Sequence, residues 1–90
     1  MRAGKCIAGD FACERAVKRG GARLVLLDAA ASGATQERYF GMCERAGLPC
    51  FTVADLGRAI GKDGRMVATV TDERFAQMIR DAYTSDKNAN

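Results

Sequence analysis

Apolar residues fall along this chain in short clusters whose spacing alternates between two periods. Cys6-Ile7-Ala8 is a brief apolar segment broken by Gly9-Asp10, and it reads as a first strand over 6–8. Next, Cys13, Ala16 and Val17 recur at helical separations of three and four, which predicts a helix over 11–19. Asp10 is its expected N-cap and Gly20-Gly21 its expected stop. Leu24-Val25-Leu26-Leu27 runs without a polar position up to Asp28, which suits a central strand covered on both faces. A small-residue loop follows, with Ser32 or Thr35 as caps for a helix over 34–46. The inward face of that helix carries Tyr39, Met42, Cys43 and Ala46, and Gly47-Leu48-Pro49 ends it.

The second half repeats the alternation. A third strand is predicted over 50–53, and Asp55 is the expected cap of a short helix over 56–60. Gly61-Lys62-Asp63-Gly64 is a polar turn before a fourth strand over 66–70. Thr71 or Asp72 caps a last helix over 73–83, with Phe75, Met78, Ile79 and Ala82 on one face. Residues 84–90 offer no apolar anchor and are expected to form a disordered tail. Strands alternating with helices predict an α/β fold, a three-layer α/β/α sandwich around a four-stranded mixed sheet. Ninety residues leave room for one core, so residues 1–83 are expected to form a single domain.

Charge and composition remove whole classes of function. The net charge of +3, from 14 basic and 11 acidic side chains, tolerates a phosphate-rich partner without demanding one. Selectivity for such a partner has to come from a shaped surface. No apolar run approaches the roughly 20 residues of a membrane span, and the N-terminus lacks a secretory signal. A soluble, cytoplasmic protein with no membrane partner is expected.

The four cysteines, Cys6, Cys13, Cys43 and Cys50, lack the close spacing of a zinc site and sit among apolar neighbours. They read as reduced, core-facing small hydrophobes, with no metal and no cofactor. The chain contains no histidine, so Ser-His and Cys-His pairs are excluded and no enzyme is expected. Asp28 ends a central strand at the edge where α/β folds place ligands, yet a strand-ending Asp more often satisfies loop amides. Neither glycine cluster matches a nucleotide-binding fingerprint.

Two stretches remain open. One is the turn Gly9-Asp10 into the first helix, followed by Arg15, Lys18 and Arg19, where free amides and cations can meet an anion. The other is the basic loop bearing Arg58, Gly61, Lys62 and Arg65. Either alone reads as a solvated face; together they suggest a nucleic-acid surface.

The ordered set Arg2-Ala3-Gly4-Lys5 with Gly9, Ala22-Arg23-Leu24-Val25-Leu26-Leu27, Leu56-Gly57-Arg58-Ala59-Ile60-Gly61-Lys62, Arg65-Met66-Val67, and Thr71-Asp72 with Phe75-Ala76 resembles the ribosomal L-seven-Ae and L-thirty-e family. It is most similar to the bacterial branch often called YlxQ, over about residues 2–83. The resemblance implies an RNA-binding, ribosome-associated role in translation and recognition of kink-turn-like RNA. It also implies that Gly9, Asp10, Phe11, Arg15, Arg58, Gly61, Lys62 and Arg65 form one RNA-facing surface. The family's strong binders carry Gly-x-Asn-Glu-x-x-Lys at the first loop. Here Arg15 keeps the final charge, but Phe11 and Ala12 replace the Asn and Glu that read guanine edges. Phosphate contact without strong base readout is the resulting expectation. The alternative is a protein-interaction module on the same scaffold, which an exposed Phe11 would favour and a buried one would undercut. Family members usually carry an amphipathic helix ahead of Arg-Ala-Gly-Lys; here the sequence begins at Met1, so either that helix is missing or the sequence starts at an internal methionine, and loss of the helix would expose apolar surface that invites self-association.

Overall fold

Because Leu24–Asp28 (β2) has apolar side chains on both of its faces, it is stable only where both are covered. The computed structural model, which describes residues 6–61 and 64–88, places it at that position. The chain runs β1 (Cys6–Ala8), α1 (Asp10–Arg19), β2, α2 (Gly33–Ala46), β3 (Cys50–Val53), α3 (Leu56–Ile60), β4 (Val67–Val70) and α4 (Glu73–Asn88). The sheet order is β1-β4-β2-β3. β2 runs parallel to β3 and antiparallel to β4, and β4 runs antiparallel to β1, so the sheet is mixed.

Strand parity divides the core in two. Val25 and Leu27 of β2 and Val67 of β4 face one side, where Cys13, Ala16 and Val17 of α1 and Tyr39, Met42 and Cys43 of α2 cover them. Leu24 and Leu26, with Ala68 and Val70, face the other side against Leu56 and Ile60 of α3 and Ala76 of α4. The result is a helix–sheet–helix sandwich with a separate core in each half. Each fully buried Leu or Val contributes about 1.5–3 kcal/mol over exposure, so β2 anchors both halves.

Local signals set most boundaries. Gly20 and Gly47 close α1 and α2 with φ of 82° and 71°, conformations that a side chain would strain. The Ser32 hydroxyl accepts from the Thr35 amide at 3.1 Å and starts α2. Asp72 starts α4 in the same way, accepting from the Phe75 amide at 2.8 Å.

Several expectations are corrected. Asp10 does not cap α1: Gly9 holds the N-cap position, no side chain caps the helix, and Asp10 lies inside its first turn. Asp55 stands at the cap of α3 in a left-handed conformation, φ 52°, without a side-chain bond. The Leu56 amide is satisfied instead by the buried Asp28 carboxylate, 3.0 Å away. Met78 is 66% exposed and Ala82 is also exposed; the packing face of α4 is Phe75, Ala76 and Ile79. Ala46 too is exposed at the end of α2. Cys13 and Cys43 are buried, but Cys6 and Cys50 are only half-buried, because they lie on the two edge strands. Finally, α4 continues past Tyr83 to Asn88 rather than giving way to a tail at residue 84. No Gly or Pro interrupts that stretch, and extending an existing helix costs little.

Candidate functional site

Antiparallel pairing dictates which loops meet. Ala8 at the end of β1 pairs with Ala68 near the start of β4, and the Gly9 amide extends the ladder by donating to the Val67 carbonyl at 3.1 Å. Residues following β1 therefore lie beside residues preceding β4. Gly9, Asp10, Thr35, Gly64, Arg65, Met66 and Val67 line one open cleft of about 240 Å³. The contact is close: a Cβ on Gly9 would stand 3.3 Å from Arg65 Nη1. Gly9 also adopts φ 105°, ψ 144°, a region that essentially only glycine occupies.

This cleft sits at the open end of α1. The Cys13 amide donates to the Gly9 carbonyl at 3.0 Å, while the amides ahead of it have no preceding turn to bond to. Asp10 does not fill that end. Its carboxylate accepts from the Tyr39 hydroxyl at 2.6 Å and forms an ion pair with Arg38. The Tyr39 hydroxyl also lies 2.8 Å from the Asp10 carbonyl oxygen. The Tyr39 hydrogen bond, and then Arg38, hold the Asp10 carboxyl below its ordinary range, so it stays ionised. Burial pushes the Tyr39 hydroxyl up, and it remains a donor. Arg38 reaches Glu14 as well, at 2.9 Å. Arg38 is thus neutralised by two carboxylates, and among the described residues Arg65 is the cation that lines the cleft.

The other expected residues distribute as follows. Phe11 is 75% exposed, and the Arg15 guanidinium lies over its ring, 5.6 Å from the centroid. Arg58 is exposed on α3 but does not line the cleft. Gly61 ends α3 with φ 74°, and Lys62 lies outside the described residues, as do Arg2 to Lys5. Residues that sequence reasoning did not connect to the site are Thr35, Met66, Arg38 and Tyr39. A tyrosine on the buried face of a helix was the available signal, since its hydroxyl needs a partner.

Chemically, the cleft brings a helix end without a side-chain cap together with a cation, two features that suit an anion. Asp28 has both carboxylate oxygens engaged, one by the Ala30 amide at 2.7 Å and one by the Leu56 amide, so its role is structural. Among the described residues, no group of His, Cys, Asp or Glu is placed to hold a metal ion. Among them, too, no helix is long and apolar enough to cross a membrane.

No family model matches the chain. The RNA-binding protein YlxQ of Bacillus subtilis strain 168 is 36% identical over 81 residues, spanning 87% of this chain and 81% of that relative. A solved Bacillus halodurans protein, described as having unknown function, superposes with a TM-score of 0.82 at 32% identity, over 88% of this chain and 83% of that one. The Giardia lamblia 15.5kD RNA binding protein superposes with a TM-score of 0.71 at 22% identity, covering 96% of this chain and 76% of that one, a likeness of fold. With that identity to the Bacillus subtilis protein carried over nearly the full length of both, the chain belongs to the YlxQ family.

Proposed function

We propose that this protein is a non-enzymatic, cytoplasmic RNA-binding protein that grips kink-turn-like RNA, with ribosomal RNA as the class of target. The observation that carries this reading is the approach of Arg65 to Gly9 at the uncapped end of α1. A free helix end and a cation converge there on one point, the arrangement a phosphate oxygen needs. The relative named as an RNA-binding protein supports the same reading. Lys62, three residues before Arg65 in the sequence, and Arg15, on the flank of α1, are assigned further phosphate contacts. Phe11 and Ala12 offer no hydrogen-bonding side chains to base edges, so preference for a kink-turn over a plain duplex is modest.

A second reading, a protein-interaction module, is favoured by one observation, the exposure of Phe11. The test is titration of a kink-turn RNA and a duplex control across a salt series, for wild type and a Lys62→Ala, Arg65→Ala double variant. The double variant is expected to bind both RNAs more weakly, with a salt slope flatter by roughly one to two units. Unchanged affinity and slope would remove the loop from the interface. Failure of the wild type to bind either RNA at low salt would leave the protein-interaction reading in its place.

A further inference from the structure

Phe11 stands on the second residue of α1 with most of its ring open to solvent, and Arg15, one helical turn on, lies over that ring. A guanidinium can cover one face of a phenyl ring; with 75% of the residue exposed, the other face remains free. Arg15 has a second position of consequence. Together with Arg19, it lines a groove of about 380 Å³ that runs along α1 beside the edge strand β1, floored by Ile7, Ala12 and Ala16. The groove therefore carries two cations above an apolar floor. The groove and the Gly9–Arg65 cleft share no lining residue.

We infer that Phe11 and Arg15 form a second nucleotide subsite, in which an unpaired base stacks on the free face of Phe11 while its phosphate lies along Arg15 and Arg19. The inference rests on the RNA-binding reading and adds a ligand to it: one splayed-out nucleotide, bound by stacking rather than by its edges. Aromatic side chains backed by arginine are the usual platform for unstacked bases, because every base has a π-face. Charge complementarity selects this occupant, since an open aromatic face beside Arg15, with Arg19 one turn further along α1, suits a ring joined to an anion. Such a site discriminates weakly among bases and favours a looped-out nucleotide over a continuous duplex by about the tenfold of one stacked base, in keeping with a modest overall preference.

A double cycle tests this. The RNA is a kink-turn in which each unpaired nucleotide is in turn replaced by an abasic residue, and the proteins are the full chain, Phe11→Ala, Phe11→Leu and Phe11→Trp. At one position, removing the base is expected to weaken wild-type binding about tenfold, within the range of one stacked base. Phe11→Ala should weaken binding to the intact RNA by a similar factor and show no further loss on the abasic RNA. Phe11→Trp should retain affinity and Phe11→Leu should not, which separates stacking from apolar bulk. Losses that multiply independently at every position, or full affinity in Phe11→Leu, overturn the subsite. If Arg65→Ala weakens binding while Phe11→Ala does not, the RNA-binding reading stands and the subsite falls. If wild type binds no RNA at low salt, both fall.

Discussion

Replacing Tyr39 by Phe removes one oxygen from the junction of two helices and little else. The ring is fully buried and keeps its packing. What is lost is the tie between α2 and the start of α1, where the hydroxyl lies 2.6 Å from the Asp10 carboxylate and 2.8 Å from the Asp10 carbonyl oxygen. One hydroxyl proton can serve only one of these at a time, and a bond to a charged acceptor contributes about 1.5–3 kcal/mol. The Asp10 side chain is 57% exposed and retains Arg38, so water takes over part of the loss. A destabilisation of about 1–2 kcal/mol is expected, a fall in melting temperature of roughly 5–15 °C for a domain of this size. The effect also has a pH signature. Asp10 is held below its usual value of 3.8 in the folded protein, first by Tyr39 and then by Arg38. A carboxyl depressed by folding adds stability above its unfolded pKa and loses it as pH falls through the folded value. The gap between wild type and Tyr39→Phe should therefore be widest at neutral pH and narrow below about pH 4, leaving only the share due to the carbonyl oxygen. Urea unfolding followed by circular dichroism, near pH 7 and again near pH 3, measures both gaps. No gap at neutral pH, or one equally wide in acid, refutes this account of the junction.

Two further outcomes follow from buried groups. Asp28→Ala leaves the Leu56 amide buried without an acceptor and frees that of Ala30, so a loss of about 2–4 kcal/mol is expected in chemical denaturation; a loss below about 0.5 kcal/mol would show that neither bond matters. Burial pushes the Cys13 thiol up to about 11, so it should resist iodoacetamide near pH 8 in the folded protein and react only on unfolding, as peptide mass mapping would reveal. The same purified protein should carry no stoichiometric zinc by elemental analysis, and labelling of native Cys13 at the rate of a free thiol would contradict its buried place.

Much of the architecture was legible because it is written in short-range chemistry. The uninterrupted run of β2, the helical spacing of Cys13, Ala16 and Val17, and the glycines at 20 and 47 each act within a few residues of themselves. The errors share the opposite property. Asp10 and Asp55 sit where a cap is expected, yet Asp10 is drawn away by Arg38 and Tyr39, and the amide that Asp55 precedes is claimed by Asp28 from another strand. Local propensity cannot weigh a partner that far along the chain. The residues alone marked the site only in halves. Gly9 and Arg65 each stood out, and the family resemblance implied one surface for them; their meeting depends on the β1–β4 pairing, and strand order leaves no trace in periodicity. Phe11 shows the same limit, since its aromatic character is plain in the sequence while its exposure is not.

The pairing that builds the cleft is also the smallest in the sheet. β1 has 3 residues, all half-buried, at the edge of the sheet, whereas β2 and β4 are buried throughout. Short edge strands are where local opening costs least. Undocking β1 would carry Gly9 away from Arg65 and dissolve the cleft, while the three inner and far-edge strands could keep both cores largely covered. If the cleft takes RNA as proposed, ligand capture and strand docking are a single equilibrium. Part of the free energy of binding would go into holding the sheet closed, and affinity would respond to substitutions in β1 that never touch the ligand.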